Sequence, residues 1–174
     1  INIFHEYSKL EHPDFNLIFE KVDLSEYLRA YIALKYEDIV ESGFNIEVDI
    51  PEEEMEIKID KVQLQRVFDN ILGNSIKHNE KGTNIYVSLK EKNDIYEIII
   101  ADDGKGISKD IANNIFEAFT VGDESRNSKQ GSGLGLAIAK TIVDLHGGTI
   151  ELQPESLKKF STQFKIILNK NPKL

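Results

Sequence analysis

Cysteine is absent from the 174 residues, which excludes disulfides and thiolate metal sites alike. No apolar run reaches the roughly 18 residues that a membrane-spanning helix needs. No signal peptide is visible at the start of the chain. Positive charge is in deficit: 21 Lys and Arg face 30 Asp and Glu, a formal net charge of −9. An acidic balance of that size argues against a nucleic-acid-binding face. It also means that a polyanionic ligand such as a nucleotide must be neutralised locally, by backbone N–H groups, a lysine or a metal ion. Internal repeats and low-complexity segments are missing as well. What is present, 40% hydrophobic and 29% charged residues, is the balance of a soluble globular protein with length for one domain and a real core. The chain starts at Ile1 rather than Met, which points to a piece of a longer protein.

Residues 1–12 place Ile3, Tyr7 and Leu10 at helical spacing and end at Pro13. Residues 15–23 roughly alternate and predict a strand. Ser25 is placed to cap a helix from Glu26 to about Ser42, with Leu28, Ile32, Tyr36 and Ile39 on one face and Gly43 closing it. Residues 44–50 alternate strictly up to Pro51, and Met55 to Ile59 predicts a short strand. Asp60 caps a long helix whose apolar face comprises Val62, Leu64, Val67, Phe68, Ile71, Leu72 and Ile76. Residues 83–90 and 95–101 read as a hairpin around Lys92-Asn93-Asp94. Ser108 caps a helix to about Phe116, and residues 119–132 are polar and aperiodic, which predicts a mobile loop. A glycine-rich stretch opens the next helix, which stops at Gly147-Gly148, and strands at 149–153 and 162–168 follow. Hairpin-joined strands mixed with helices predict an α+β fold: a two-layer α/β sandwich with helices on one face of a mixed, mostly antiparallel sheet.

Three places carry chemistry. Gly131, Gly133 and Gly135 alternate and run into a helix, so backbone can approach a ligand closely and the helix N-terminus can face an anion. The spacing is G-x-G-x-G, neither the dinucleotide fingerprint nor the P-loop. On its own it serves a tight turn with close helix packing equally well. Asn70, Asn74 and Lys77 lie 4 and 3 residues apart and share a polar face of the long helix, which by itself also describes a solvated surface. Asp102-Asp103-Gly104-Lys105-Gly106-Ile107 is a loop that could be a simple Asp-Gly turn. It is not a calcium loop: with Gly104 at the sixth position, the first would be Ile99, which cannot ligate.

Taken together and in this order, these segments resemble the ATP-binding catalytic domain of sensor histidine kinases, the Bergerat fold shared with gyrase, the ninety-kilodalton heat-shock chaperone and the mismatch-repair ATPases. Residues 69–78, DNILGNSIKH, resemble the asparagine box; residues 102–107, DDGKGI, the first glycine box; residues 115–119, IFEAF, the phenylalanine box; residues 131–136, GSGLGL, the second glycine box. The likeness covers residues 15–168. It implies ATP and Mg²⁺ as cofactors. Asn74 would be the metal ligand, Asn70 would support metal and phosphates, and Lys77 would give the phosphates a compact positive charge. Asp102, not Asp103, would read the adenine amine. Gly104 and Gly106 would let backbone pass close to the base, and Ile107 would pack on it. Gly131, Ser132, Gly133, Leu134, Gly135 and Leu136 would hold the phosphates. Phe116 and Phe119 would anchor the base of a closing loop, from which Arg126 could reach the phosphates.

Departures are visible. His78 stands where many relatives carry an aromatic against adenine, and it serves equally as a helix-end residue. Ser161-Thr162 lacks the glycine that usually precedes the last strand. The acceptor motif, His-Glu-Leu-Arg-Thr-Pro or close to it, is missing: His5-Glu6 shares only its first two residues, and His12, His78 and His146 lie outside any such motif. The resemblance therefore implies a domain from residue 13 to 170, preceded by the tail of a dimerisation helix or linker (1–12) and followed by a short tail (171–174). Its partners would be its own histidine-bearing dimerisation domain and a response regulator. It would be a cytoplasmic part of a membrane-anchored bacterial protein, with no nucleic acid and no membrane contact of its own. An autonomous ATPase of the gyrase or chaperone type stays as one alternative; a nucleotide-binding regulatory module is another. The former uses a glutamate to activate water where this chain has Asn70.

Overall fold

The computed structural model describes residues 2–119, 133–154 and 159–172. In chain order its elements are α1 (Ile3–Leu10), β1 (Glu20–Asp23), α2 (Leu24–Glu41), β2 (Asn45–Asp49), β3 (Glu56–Ile59), α3 (Lys61–His78), β4 (Asn84–Lys92), β5 (Ile95–Asp102), α4 (Lys109–Ala112), α5 (Gly135–Leu145), β6 (Thr149–Leu152) and β7 (Thr162–Asn169). A five-stranded sheet has the order β2-β4-β5-β7-β6, and β1 and β3 form a separate two-stranded ribbon. Only β2–β4 is parallel in the larger sheet; the β4–β5, β5–β7 and β6–β7 pairs are antiparallel. The mixed, mostly antiparallel α+β architecture is therefore the one expected.

The reason lies in the alternation. In β7, Thr162, Phe164, Ile166 and Leu168 turn inward, as do Ile85, Val87 and Leu89 of β4 and Ile98 and Ile100 of β5. Leu64, Val67, Phe68 and Ile71 of α3 and Ile138, Ile142 and Val143 of α5 complete a single core with them. Truncating a side chain as enclosed as Phe68 costs about 3–5 kcal/mol. The β4–β5 turn falls at Asn93, whose φ of 52° is a conformation that asparagine tolerates better than most residues.

Several expectations are corrected. Residues 15–19 are not strand; only Glu20–Asp23 pairs, against β3. The cap of α2 is Asp23, whose carboxylate accepts the Ser25 N–H at 3.1 Å, while the Ser25 hydroxyl donates to Glu53 O at 3.0 Å. Tyr36 and Val62, placed on apolar faces by periodicity, are 52% and 69% exposed; Tyr31 is the tyrosine that α2 buries. The helix after Ser108 stops at Ala112, and the Ser108 side chain makes no capping bond.

Candidate functional site

The site is built on α3, and its two ends are held differently. At the N-terminus, Asp60 accepts the N–H groups of Gln63 at 3.1 Å and Ile18 at 2.9 Å. Its own N–H donates to Nε2 of His146, at 3.1 Å, from the far end of α5. His146 Nδ1 lies 2.8 Å from Ile142 O. Since Nε2 is an acceptor, the proton sits on Nδ1 and donates to that carbonyl. Burial lowers the imidazole below its usual range. His146, the C-cap of α5, is thus a neutral tie between two helices. Midway along α3, Tyr31 donates to Asp69 at 2.7 Å and Lys35 lies 3.3 Å from the same carboxylate, which fixes the rotation of α3 against α2.

That rotation leaves Asn70 and Asn74 half-buried and Lys77 exposed. Among the described residues, none of these three side chains makes a hydrogen bond or an ion pair. Asn70 faces the start of α5: a Cβ built on Gly135 would stand 3.4 Å from Asn70 Oδ1. The asparagine helix and the glycine-rich run are thus brought together. Leu134 precedes α5 without a side-chain cap, and the first helical bond is Ile138 N–H to Leu134 O at 2.8 Å. Among the described residues no side chain caps the N–H groups of the first turn, at the positive end of the helix. Leu134 and Leu136 themselves point into the core. Gly133 holds a φ of 68°, and its carbonyl accepts the Phe119 N–H at 3.0 Å. Phe119, with a φ of 63°, is 58% exposed and its ring centroid lies 6.2 Å from that of Phe4. Phe116 packs edge-on against Phe164 at 6.1 Å. Phe119 therefore meets this junction through its main chain, whereas the Phe116 ring packs on β7. Arg126, Gly131, Ser132 and the rest of the loop read between 119 and 132 fall outside the described residues.

The second cluster lies at the C-terminal end of α3. Asp102 ends β5 and is 1% exposed. Burial pushes its carboxyl up; hydrogen bonds from the Ser75 hydroxyl, the Gly104 N–H and the Asn79 side chain pull it back. The Gly104 bond measures 3.1 Å. Asp103 faces the other way, accepting the Asn84 N–H at 2.8 Å and Asn84 Nδ2 at 2.7 Å, which hold its carboxyl below the usual range. Of the two neighbouring aspartates, Asp102 turns inward and Asp103 ties down the start of β4. Gly106 holds a φ of 78° and Ile107 packs against the core. His78 ends α3 half-buried, lowered by burial and by the nearby Lys77 and Lys105. An open cleft of about 600 Å³ runs between residues 105–108 and 159–161. Ser75 and Asn79 were not among the expected site residues. No local pattern marks Asn79: it follows α3 as an extended C-cap, and its partner Lys105 lies in the loop after β5.

Comparison with known proteins fits this geometry. A family described as histidine kinase-, DNA gyrase B- and HSP90-like ATPase matches residues 59–172. The chain is 32% identical over 171 residues to the sensor histidine kinase YcbM of Bacillus subtilis, covering 98% of this chain and 54% of that protein. It is 38% identical over 110 residues to the sensor histidine kinase YvrG of the same organism, covering 63% of this chain and 19% of that one. The chain therefore spans about half or less of the length of these relatives. Full-length ShkA, solved in complex with AMPPNP, superposes with a TM-score of 0.80 at 22% identity, over 98% of this chain and 35% of that one, which shows a shared fold.

Proposed function

Starting from a chain that belongs to the histidine kinase-, DNA gyrase B- and HSP90-like ATPases, we propose that it is the nucleotide-binding catalytic domain of a sensor histidine kinase. It binds ATP with Mg²⁺ and presents the γ-phosphate to a histidine on a separate dimerisation domain, for onward transfer to an aspartate of a response regulator. The observation that carries this reading is the pairing of Asn70 with the start of α5. Asn70 stands where the gyrase and chaperone relatives use a glutamate to activate water. An amide cannot take a proton there, so the phosphate is held for transfer and not hydrolysed.

The residues fit the ligand. The uncapped first turn of α5 offers N–H groups to phosphate oxygens, and Lys77 adds a mobile positive charge in a chain that is otherwise acidic. Among the described residues no group of three or more His, Asp or Glu could hold a metal ion. A hard cation that keeps most of its waters needs only one or two protein oxygens beside the phosphates, and the Asn74 amide would supply one, with Asn70 beside it. When bound, the metal neutralises phosphate charge. Asp102, buried and aimed into the loop of Gly104, Gly106 and Ile107, reads the adenine amine; His78 and Lys77 border the same end of α3. Gly133 and Gly135, with Gly131, Ser132 and Arg126 from the segment before them, border the phosphates. No helix among the described residues is long and apolar enough to cross a membrane.

The test is phosphoryl transfer. Incubated with γ-labelled Mg-ATP, the chain alone stays unlabelled. Adding a dimeric helical hairpin that carries the acceptor histidine yields acid-labile label on the hairpin. Label on His5, or steady hydrolysis with no transfer, contradicts the reading.

A further inference from the structure

Gly104 carries a constraint beyond the close approach to the base expected of it. Its backbone does not adopt a positive φ, so nothing in its own conformation demands glycine. Yet a Cβ built on it would overlap the side-chain amide of Asn79. That amide is not free to swing away. Nδ2 donates to Ser75 O at 2.8 Å, closing the last turn of α3, and Oδ1 accepts the Lys105 N–H at 3.1 Å. Asn79 therefore joins the end of the asparagine helix to the middle of the loop that begins at Asp102. The Gly104 N–H in turn donates to Asp102 Oδ1 at 3.1 Å. The amide plane rests where a Cβ of residue 104 would be, between these two bonds.

We propose that Asn79 is a positioning residue for base recognition: it clamps loop 102–106 to α3, orients the Asp102 carboxylate, and is the reason that residue 104 must be glycine. The idea rests on the adenine-nucleotide reading above. Asn79 acts through Asp102 and the loop and need not touch the nucleotide. The chemistry requires an amide. A carboxylate at 79 keeps the acceptor for Lys105 but loses the donor to Ser75 O and sets a second negative charge beside Asp102. A serine at 79 is too short to bridge the gap and leaves room for a side chain at 104.

The experiment is a double-mutant cycle of Asn79→Ser and Gly104→Ala, together with Asn79→Asp, read by calorimetric affinity for ATP and GTP and by thermal unfolding. Asn79→Asp, nearly isosteric, is expected to lower ATP affinity about tenfold and to shrink the ATP-over-GTP preference. Gly104→Ala alone is expected to lower ATP affinity about tenfold and Tm by roughly 3–5 °C. In the Asn79→Ser background the same alanine is expected to cost no further Tm. If Gly104→Ala lowers Tm equally in that background, the clash with Asn79 is not what demands the glycine and the clamp is refuted. Asn79→Asp binding and discriminating like the parent would also overturn it. Should the parent chain bind no adenine nucleotide, the functional reading falls, and base positioning with it. The Tm arm of the cycle would still report whether Asn79 and Gly104 are coupled, so the two failures are distinguishable.

Discussion

The two ends of the α3–α5 pair are made of the same helices and behave oppositely. Where α3 begins and α5 ends, Asp60 and His146 satisfy one another and their neighbours: a cap, a cross-helix bond and a neutral imidazole with both nitrogens used. Where α5 begins, against the middle of α3, Asn70 stands over Gly135, and among the described residues the first-turn N–H groups have no side-chain cap and Asn74 and Lys77 make no bond. One end has spent its hydrogen-bonding capacity on the fold. The other leaves it unused by the described residues, as the proposed nucleotide site requires. On the proposed reading, stability and function are separated along a single helix pair by about three turns of α3, and substitutions at the two ends should fail in different assays.

The largest expected effect is at the closed end. Asp60→Ala removes a helix cap and the acceptor for Ile18, for a loss of about 3 kcal/mol in urea unfolding. Nucleotide affinity of the remaining folded protein should be unchanged. A smaller loss follows acidification. Unfolded His146 takes up a proton near pH 6.5, whereas folded His146, kept neutral by burial, does so only at lower pH. Below about pH 6.5 the unfolded state therefore binds more protons, and stability falls as pH drops through that window. His146→Gln should flatten the slope of unfolding midpoint against pH between 7 and 5; an unchanged slope would remove His146 from this role.

At the open end, Asn74→Ala should reduce the Mg²⁺-dependent part of ATP affinity about tenfold, or about 1.4 kcal/mol, with little change in unfolding midpoint. The smallest effect sharpens the contrast most. Gly135→Ala places a Cβ 3.4 Å from Asn70 Oδ1 at the first position of α5. It should stabilise the helix by roughly 0.5 kcal/mol while weakening ATP binding a few-fold. Gain in one assay and loss in the other is what a residue kept for its ligand should show. Parallel changes in both would erase the distinction between the ends.

How far the sequence alone leads is clearest residue by residue. The order of the boxes was readable because each combines a residue type with a fixed spacing, and the register of D-x-G-x-G singled out the aspartate that the fold buries. Period-2 alternation located β4, β5 and β7 because both of their neighbours in the sheet are present. It failed at residues 15–19, where alternating residues find no partner strand. Periodicity placed Val62 and Tyr36 inside because it reports a direction on a helix, not whether another element lies there. Asn79 went unnoticed for a different reason. Its importance is defined by Gly104 and Lys105, 25 and 26 positions later, and no local pattern encodes that contact. His146 ends α5 as its place before Gly147 suggests, but no local pattern encodes its bond to Asp60, 86 positions away.

The most direct test of the account is a calorimetric titration of the chain with ATP and with GTP, with and without Mg²⁺, repeated on Asn74→Ala and Asp60→Ala. The account predicts one site per chain that takes Mg-ATP at least about tenfold more tightly than Mg-GTP. Asn74→Ala should lose the Mg²⁺-dependent part of that affinity, and Asp60→Ala should keep it. Equal affinity for the two nucleotides, or a loss that follows Asp60 instead of Asn74, would contradict it.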